Sequence, residues 1–260
     1  MPTTDGAPNP SADPHLYPGT PVPGDCLLAG TWSYPLHSDT GGSRILDLDG
    51  GPLARRGSMP LDHALAELGV APMSARRPVA AIGSNASAGQ LRHKWSGAVD
   101  AIPMTRATAT GINVGHSAHV ARAGYLPYAP RHAEGRRTEV FVLWLDEPQI
   151  ALLDASEPNY RHVTVSGRDY PLRLADGGHL DRWGIYRSRW GTLGLTAGGQ
   201  AAALERIAGW GLADRLPGWP DVDAVQAALA EDERLRVALR EALAAFALPD
   251  GLRESKPGPA

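Results

Sequence analysis

Two short stretches of the chain carry residues that can move a proton or hold an anion. In ALLDASEPNYRH, residues 151–162, an apolar helical pattern with Leu152 and Leu153 runs into Pro158, and Glu157 stands immediately before it. A residue preceding proline is pushed out of the helical region, so the helix must end near Glu157 and leave that side chain free to project. A carboxylate at a helix C-terminus opposes the dipole, which disfavours its charge. Placed in a pocket it suits proton transfer, and placed in water it is an ordinary turn glutamate. In RPVAAIGSN, residues 77–85, a short apolar run ends at Gly83, Ser84 and Asn85, the pattern of a buried strand entering a tight loop. Small residues leave main-chain N–H groups unobstructed for a carboxylate or a developing oxyanion. The same residues also serve many turns for conformation alone.

The elements that must position these groups follow from pattern. Residues 1–25, rich in proline, glycine and small polar residues, are expected to form a disordered, mobile tail. Residues 26–77 form an N-terminal extension in which LDHALAELGV predicts a helix, with Leu61, Ala64, Leu65 and Leu68 on one face and Gly69 as its stop. Residues 78–175 have a different texture. MTRATATGINVG, TEVFVLWLD and YRHVTV read as strands, SAGQLRHKW as a helix capped by Ser87, and DEPQIALLDASE as a helix capped by Asp146 with Pro148 in its first turn. Residues 176–252 read as a helical annex: AAALERIAGWG, then one longer stretch, DVDAVQAALAEDERLRVALREALAAFAL, with Val225, Leu229, Leu239 and Leu243 on a stripe and Asp232 on the wet side. Residues 253–260 are expected to fray. Strands outnumber helices in the core, and its connections are too short for repeated crossovers. The expected fold is therefore α+β, a small mixed β-barrel with flanking helices and terminal extensions.

Composition narrows the partners. With 43% apolar residues and a formal charge of -3, the chain can pack a normal core and has no basic stripe for a run of phosphates, so nucleic acid is not an expected ligand. Its only lysines are Lys94 and Lys256, the other basic residues being arginine. Cys26 is the sole cysteine, which leaves no intramolecular disulfide and no cysteine zinc site. The first residues lack a secretory pattern, and no stretch approaches the roughly 18 apolar residues of a membrane span. The expected setting is cytoplasmic, away from membranes.

Read together, the two stretches resemble a family. AIGSNASAGQLRHK is similar to the Y-G-S-N loop that opens γ-glutamylcyclotransferase and AIG2-like domains. VFVLWLDEPQIALLDASEPNYRHVTV is similar to that family's strand, helix, L-D-x-x-E and following Y-x-R/H-x-x-V, and GYLPYAPRHAEG to the segment between them. The likeness runs from about Val79 to Val165. It implies a cyclotransferase barrel without metal or cofactor, acting on a small γ-glutamyl compound. Glu157 would be the general acid/base, and Ile82, Gly83, Ser84, Asn85 and Tyr160 would bind substrate. Ile82 stands where the family has its loop tyrosine, and Pro158 where a glycine often follows the glutamate. The alternatives are a non-catalytic domain of this fold that binds a ligand or partner, and an amide hydrolase or acyltransferase using the same pocket.

Other constellations compete less well. Ser84 lacks the second glycine of a nucleophile elbow. His116, His119 and His132 have a spacing that could ligate a metal, but they lie in strand-like sequence and read as ordinary polar histidines. Arg131, Arg136 and Arg137 read as a solvated turn. Trp183, Trp190, Trp210 and Trp219 read as packing between barrel and annex, with an aromatic ligand wall as the alternative.

Overall fold

The computed structural model describes residues 16–39, 42–45, 50–54, 57–95, 101–212 and 222–255. The strands are β1 Cys26–Ala29, β2 Trp32–Asp39, β3 Gly42–Ile45, β4 Met59–Pro60, β5 Arg77–Ala81, β6 Ile102–Ser117, β7 Tyr128–Leu145, β8 Tyr160–Ser166, β9 Leu172–Leu174, β10 His179–Leu180, β11 Arg182–Ser188 and β12 Thr192–Thr196. The helices are α1 Leu61–Glu67, α2 Ala88–Lys94, α3 Glu147–Ser156, α4 Gln200–Ile207, α5 Val222–Glu231 and α6 Glu233–Ala244.

The fold is mixed α+β, and its strands form a single sheet in the order β4-β3-β2-β1-β6-β7-β5-β11-β8. β12 and β9 pair along the free edge of β6, and β10 pairs β9. This corrects the barrel expectation: the sheet stays open, because β4 and β8 end the order without meeting. All pairs are antiparallel except β5 with β11, where Gly184 and Ile185 lie beside Val79 and Ala80. The long β6–β7 hairpin is interrupted where residues 133–136 face only Gly111, whose φ of +82° fits a glycine at an irregularity.

Two apolar layers matter for the site. On one face Val79, Ala81, Leu143 and Leu145 of the sheet pack with Leu91 and Trp95 from α2 and its end, and with Ile150 and Leu153 of α3. On the other, Ala80, Val142, Val165, Trp183 and Ile185 share a core. The start and stop of α3 follow its sequence: Asp146 and Gln149 form a reciprocal capping box, and the helix ends at Ser156 with Glu157 as its non-helical C-cap. Ser87 holds the N-cap position of α2 without a side-chain hydrogen bond to it.

Several expectations change. Leu16 to Asp25 is ordered rather than a mobile tail, since Tyr17 and Val22 are buried and the Val22 N–H bonds the Ala86 carbonyl at 3.0 Å; residues 1–15 lie outside the described residues. Residues 176–252, expected to be a helical annex, first contribute β10, β11 and β12, and β11 lies inside the sheet between β5 and β8. The single long helix is two, because Asp232 leaves the helical region and its side chain accepts from the N–H groups of Arg234 and Leu235. The C-terminal segment is held as far as Ser255, whose N–H bonds the Thr164 carbonyl at 2.8 Å. Among the described residues no helix is long and apolar enough to cross a membrane.

Candidate functional site

Burial of α2 and α3 against the same sheet face brings the end of α2 to the end of α3. Lys94, the last residue of α2, ion-pairs with Glu157, the cap of α3. Asn85, from the turn after β5, completes a triangle. Its Nδ2 donates to Glu157 Oε1 at 3.1 Å, its Oδ1 accepts from Lys94 Nζ at 2.6 Å, and Lys94 Nζ also donates to Glu157 Oε1. The Lys94 and Glu157 side chains are each only 14% exposed, so the pair sits in a medium where its attraction is weakly screened. Oε1 is thus doubly held, while Oε2 has no hydrogen-bond partner among the described residues and is not sealed in protein.

This triangle forms part of the wall of a cavity of about 410 Å³. Five of the chain's seven tyrosines line it: Tyr17, Tyr125, Tyr128, Tyr160 and Tyr186. The main chain of Tyr128 clamps two of them, its N–H donating to Tyr17 Oη at 2.7 Å and its carbonyl accepting from Tyr160 Oη at 2.7 Å. Tyr17 stacks on Tyr125 with ring centroids 4.1 Å apart. Tyr186 Oη donates to Asp154 at 2.5 Å. Burial raises the phenol pKa of Tyr17 and Tyr160 well above the ordinary value and that of Tyr125 to about 12; the Glu157 charge acts in the same direction on all three. At neutral pH these phenols are therefore uncharged, and they share the cavity wall with the Glu157 carboxylate, the Lys94 ammonium and the Arg122 guanidinium.

Of the residues expected from sequence, Ile82, Ser84, Asn85, Glu157 and Tyr160 line this cavity together. Gly83 does not: it borders a second cavity of about 820 Å³ on the other side of the turn, which also carries Arg106, Arg137 and Arg173. Ile82 and Tyr128 are common to both. Gly83 has φ +63°, and a Cβ there would stand 2.5 Å from Tyr17 Oη, so the turn and the Tyr17 hydroxyl fit only around glycine.

Neither a protein-family model nor a curated protein matches this chain. Solved structures show distant likeness. A protein solved as gamma-glutamyl cyclotransferase shares 12% identity over 69% of this chain and 92% of its own, with a TM-score of 0.36. An uncharacterized protein from Homo sapiens shares 12% identity over 70% of this chain and 93% of its own, TM-score 0.38. A protein from Arabidopsis thaliana shares 16% identity over 54% and 88%, TM-score 0.37. What the cavity can do follows from its own side chains.

Sequence reasoning missed Lys94, Tyr17, Tyr125, Tyr128, Tyr186 and His119 as cavity residues. Lys94 did carry a signal, as one of two lysines in a chain whose other basic residues are arginine. The aromatic wall is tyrosine rather than tryptophan. Trp183 is buried in the core, Trp210 stacks on Phe246, and Trp190 lies under the Arg240 guanidinium; Trp219 lies outside the described residues. His116 and His132 do not join His119: His116 Nδ1 meets the Leu126 carbonyl at 3.0 Å, and the His132 ring sits against Tyr170. Among the described residues no group of three His, Cys, Asp or Glu side chains could hold a metal ion. Arg131 and Arg137 lie on β7 rather than in a free turn.

Proposed function

We propose that the chain is a γ-glutamylcyclotransferase-like enzyme that closes a γ-glutamyl amine or amino acid to 5-oxoproline. The observation that carries this reading is the clamped carboxylate: Glu157 Oε1 is fixed by Asn85 and Lys94, and Oε2 is left open at a cavity ringed by neutral phenols. The substrate's α-ammonium cannot attack until it loses a proton, and Oε2 accepts that proton. The neutral amine then attacks the γ-carbonyl carbon, a C–N bond forms, and the carbonyl becomes an oxyanion. Collapse breaks the original amide bond. The leaving nitrogen takes the proton held by Glu157, and the carboxylate then accepts the surplus proton of the ring nitrogen and passes it to the freed amine, so the products are the neutral five-membered lactam and a protonated amine, with no water consumed.

In this scheme Ile82, Ser84 and Asn85 of the turn and Tyr160 bind the γ-glutamyl group, with main-chain amides at Ser84 and Asn85 facing its carboxylate or the oxyanion. Lys94 keeps the carboxylate in one orientation. Nucleophile and electrophile belong to one molecule, so holding it folded supplies several kcal/mol of proximity advantage, on the order of what oriented intramolecular reactions gain.

The test is release of 5-oxoproline from a panel of γ-glutamyl amines and amino acids. The wild-type chain is expected to release it, and Glu157→Gln, which keeps size and removes the base, to be at least ~100-fold slower. Equal rates from the two proteins would remove Glu157 from the reaction. Glutamate appearing in place of the lactam would make the chain an amide hydrolase instead.

A further inference from the structure

His119 lies in this cavity wall and has no part in the scheme above. The residue is 2% exposed, so its ring is held by protein rather than water. Its Nδ1 is 2.6 Å from Ser117 Oγ, and Ser117 Oγ is 2.6 Å from Ser188 Oγ, which in turn accepts from the Trp190 N–H at 3.0 Å. Ser117 also has the Tyr160 hydroxyl as a hydrogen-bond neighbour. In the arrangement in which Ser188 donates to Ser117 and Ser117 to Nδ1, each hydroxyl proton has an acceptor and the ring proton sits on Nε2.

The second ring nitrogen is the one left for a ligand. Nε2 of His119 has no partner among the described residues, yet it is not walled off as Nε2 of His116 and of His162 are. Burial, and the Arg240 charge after it, hold the imidazole pKa down to about 3, which keeps the ring neutral with one proton to give. Around the ring stand Tyr160 and Trp190, with centroids 5.7 Å and 6.2 Å away, which fix its plane without competing for that proton.

We propose that His119 is a substrate-binding residue of this cavity, presented by the Ser188–Ser117 relay so that its Nε2–H donates to a carboxylate or carbonyl oxygen of the bound γ-glutamyl group. The inference rests on the reading above for the identity of the group bound, and not for the presence of the donor. A neutral donor complements a wall in which the Lys94 ammonium is already committed to Glu157 and Arg122 supplies a further cation. It can hold an acidic oxygen without offering a proton that the reaction would have to compete with.

The probe is 5-oxoproline, added to protein with 15N-labelled histidine and followed by long-range 15N–1H correlation at neutral pH. His119 is expected to show the Nε2–H tautomer, and 5-oxoproline to shift its Nε2 resonance while leaving those of His116 and His162 in place. His119→Ala is expected to raise KM about 10-fold with little change in kcat, the loss of one hydrogen bond to bound ligand. His119→Gln, which keeps an N–H, is expected to raise it less. A shift of the His119 resonance without any turnover would sustain the donor and remove the cyclotransferase reading. Turnover with an unmoved His119 resonance overturns this inference alone, as does an Nδ1–H tautomer. Neither shift nor turnover overturns both. The wild-type spectrum decides the matter even where a substitution fails to fold.

Discussion

How Glu157 behaves depends on Lys94. Each is almost enclosed, and each satisfies the other, so removing one strands a charge where water cannot reach it well. Lys94→Met is expected to destabilise the fold by on the order of 3 kcal/mol, read as a fall in Tm of roughly 6–12 °C for a chain of this size. Adding Glu157→Gln should restore part of that loss, because the stranded carboxylate is gone. Strict additivity of the two changes in a thermal-melt double-mutant cycle would mean that the pair does not interact. Glu157 itself was legible from sequence because Pro158 acts on its neighbour through bonded geometry. Lys94 was not, since its meeting with Glu157 depends on how two helices pack rather than on either helix.

At the scale of elements, the N-terminal strap, Leu16 to Asp25, gives the cavity one side chain, Tyr17. Tyr17 accepts the Tyr128 N–H on its hydroxyl oxygen, stacks on Tyr125 and fills the space beside Gly83. An aromatic hydroxyl thus stands by the turn although the turn itself carries Ile82. Tyr17→Phe leaves the Tyr128 N–H without its acceptor and is expected to destabilise by about 1–3 kcal/mol. Tyr17→Ala should in addition weaken 5-oxoproline binding measured by calorimetry; unchanged affinity in that variant would show that the strap only covers the cavity. The strap escaped sequence reading because proline-rich composition reports how little apolar surface a segment has, not whether a ready groove awaits its one tyrosine. The strand β11 escaped it too, since RWGIYRS mixes arginine and glycine into a buried run. Elements set by local signals, such as α3 between its capping box and Pro158, were read with their ends nearly in place.

For the whole molecule, the distinction between barrel and open sheet was not readable, because it depends on whether two distant strand edges meet. Its charge economy has a measurable consequence. Burial lowers the pKa of His116, His119 and His162 below the ordinary 6.5, that of His119 to about 3. The unfolded chain binds those protons near pH 6.5 and the native one does not. Their contribution is therefore complete above that value and lost as pH falls through the folded pKa; for His119, held near 3, the slope across that interval is ~1.4 kcal/mol per pH unit. Urea titrations between pH 6.5 and 4 should show this slope, reduced by one group's share in His119→Gln; an unchanged slope would place the His119 proton on the folded chain as well. The cavity also sets an order of assembly. Tyr17 and Tyr128 are 111 positions apart and Asn85 and Glu157 are 72 apart, so the walls close only after large loops have been tied off. On dilution from denaturant, the enclosed fluorescence of Trp183 should return before affinity for the lactam does, making ligand capture the last property the chain regains.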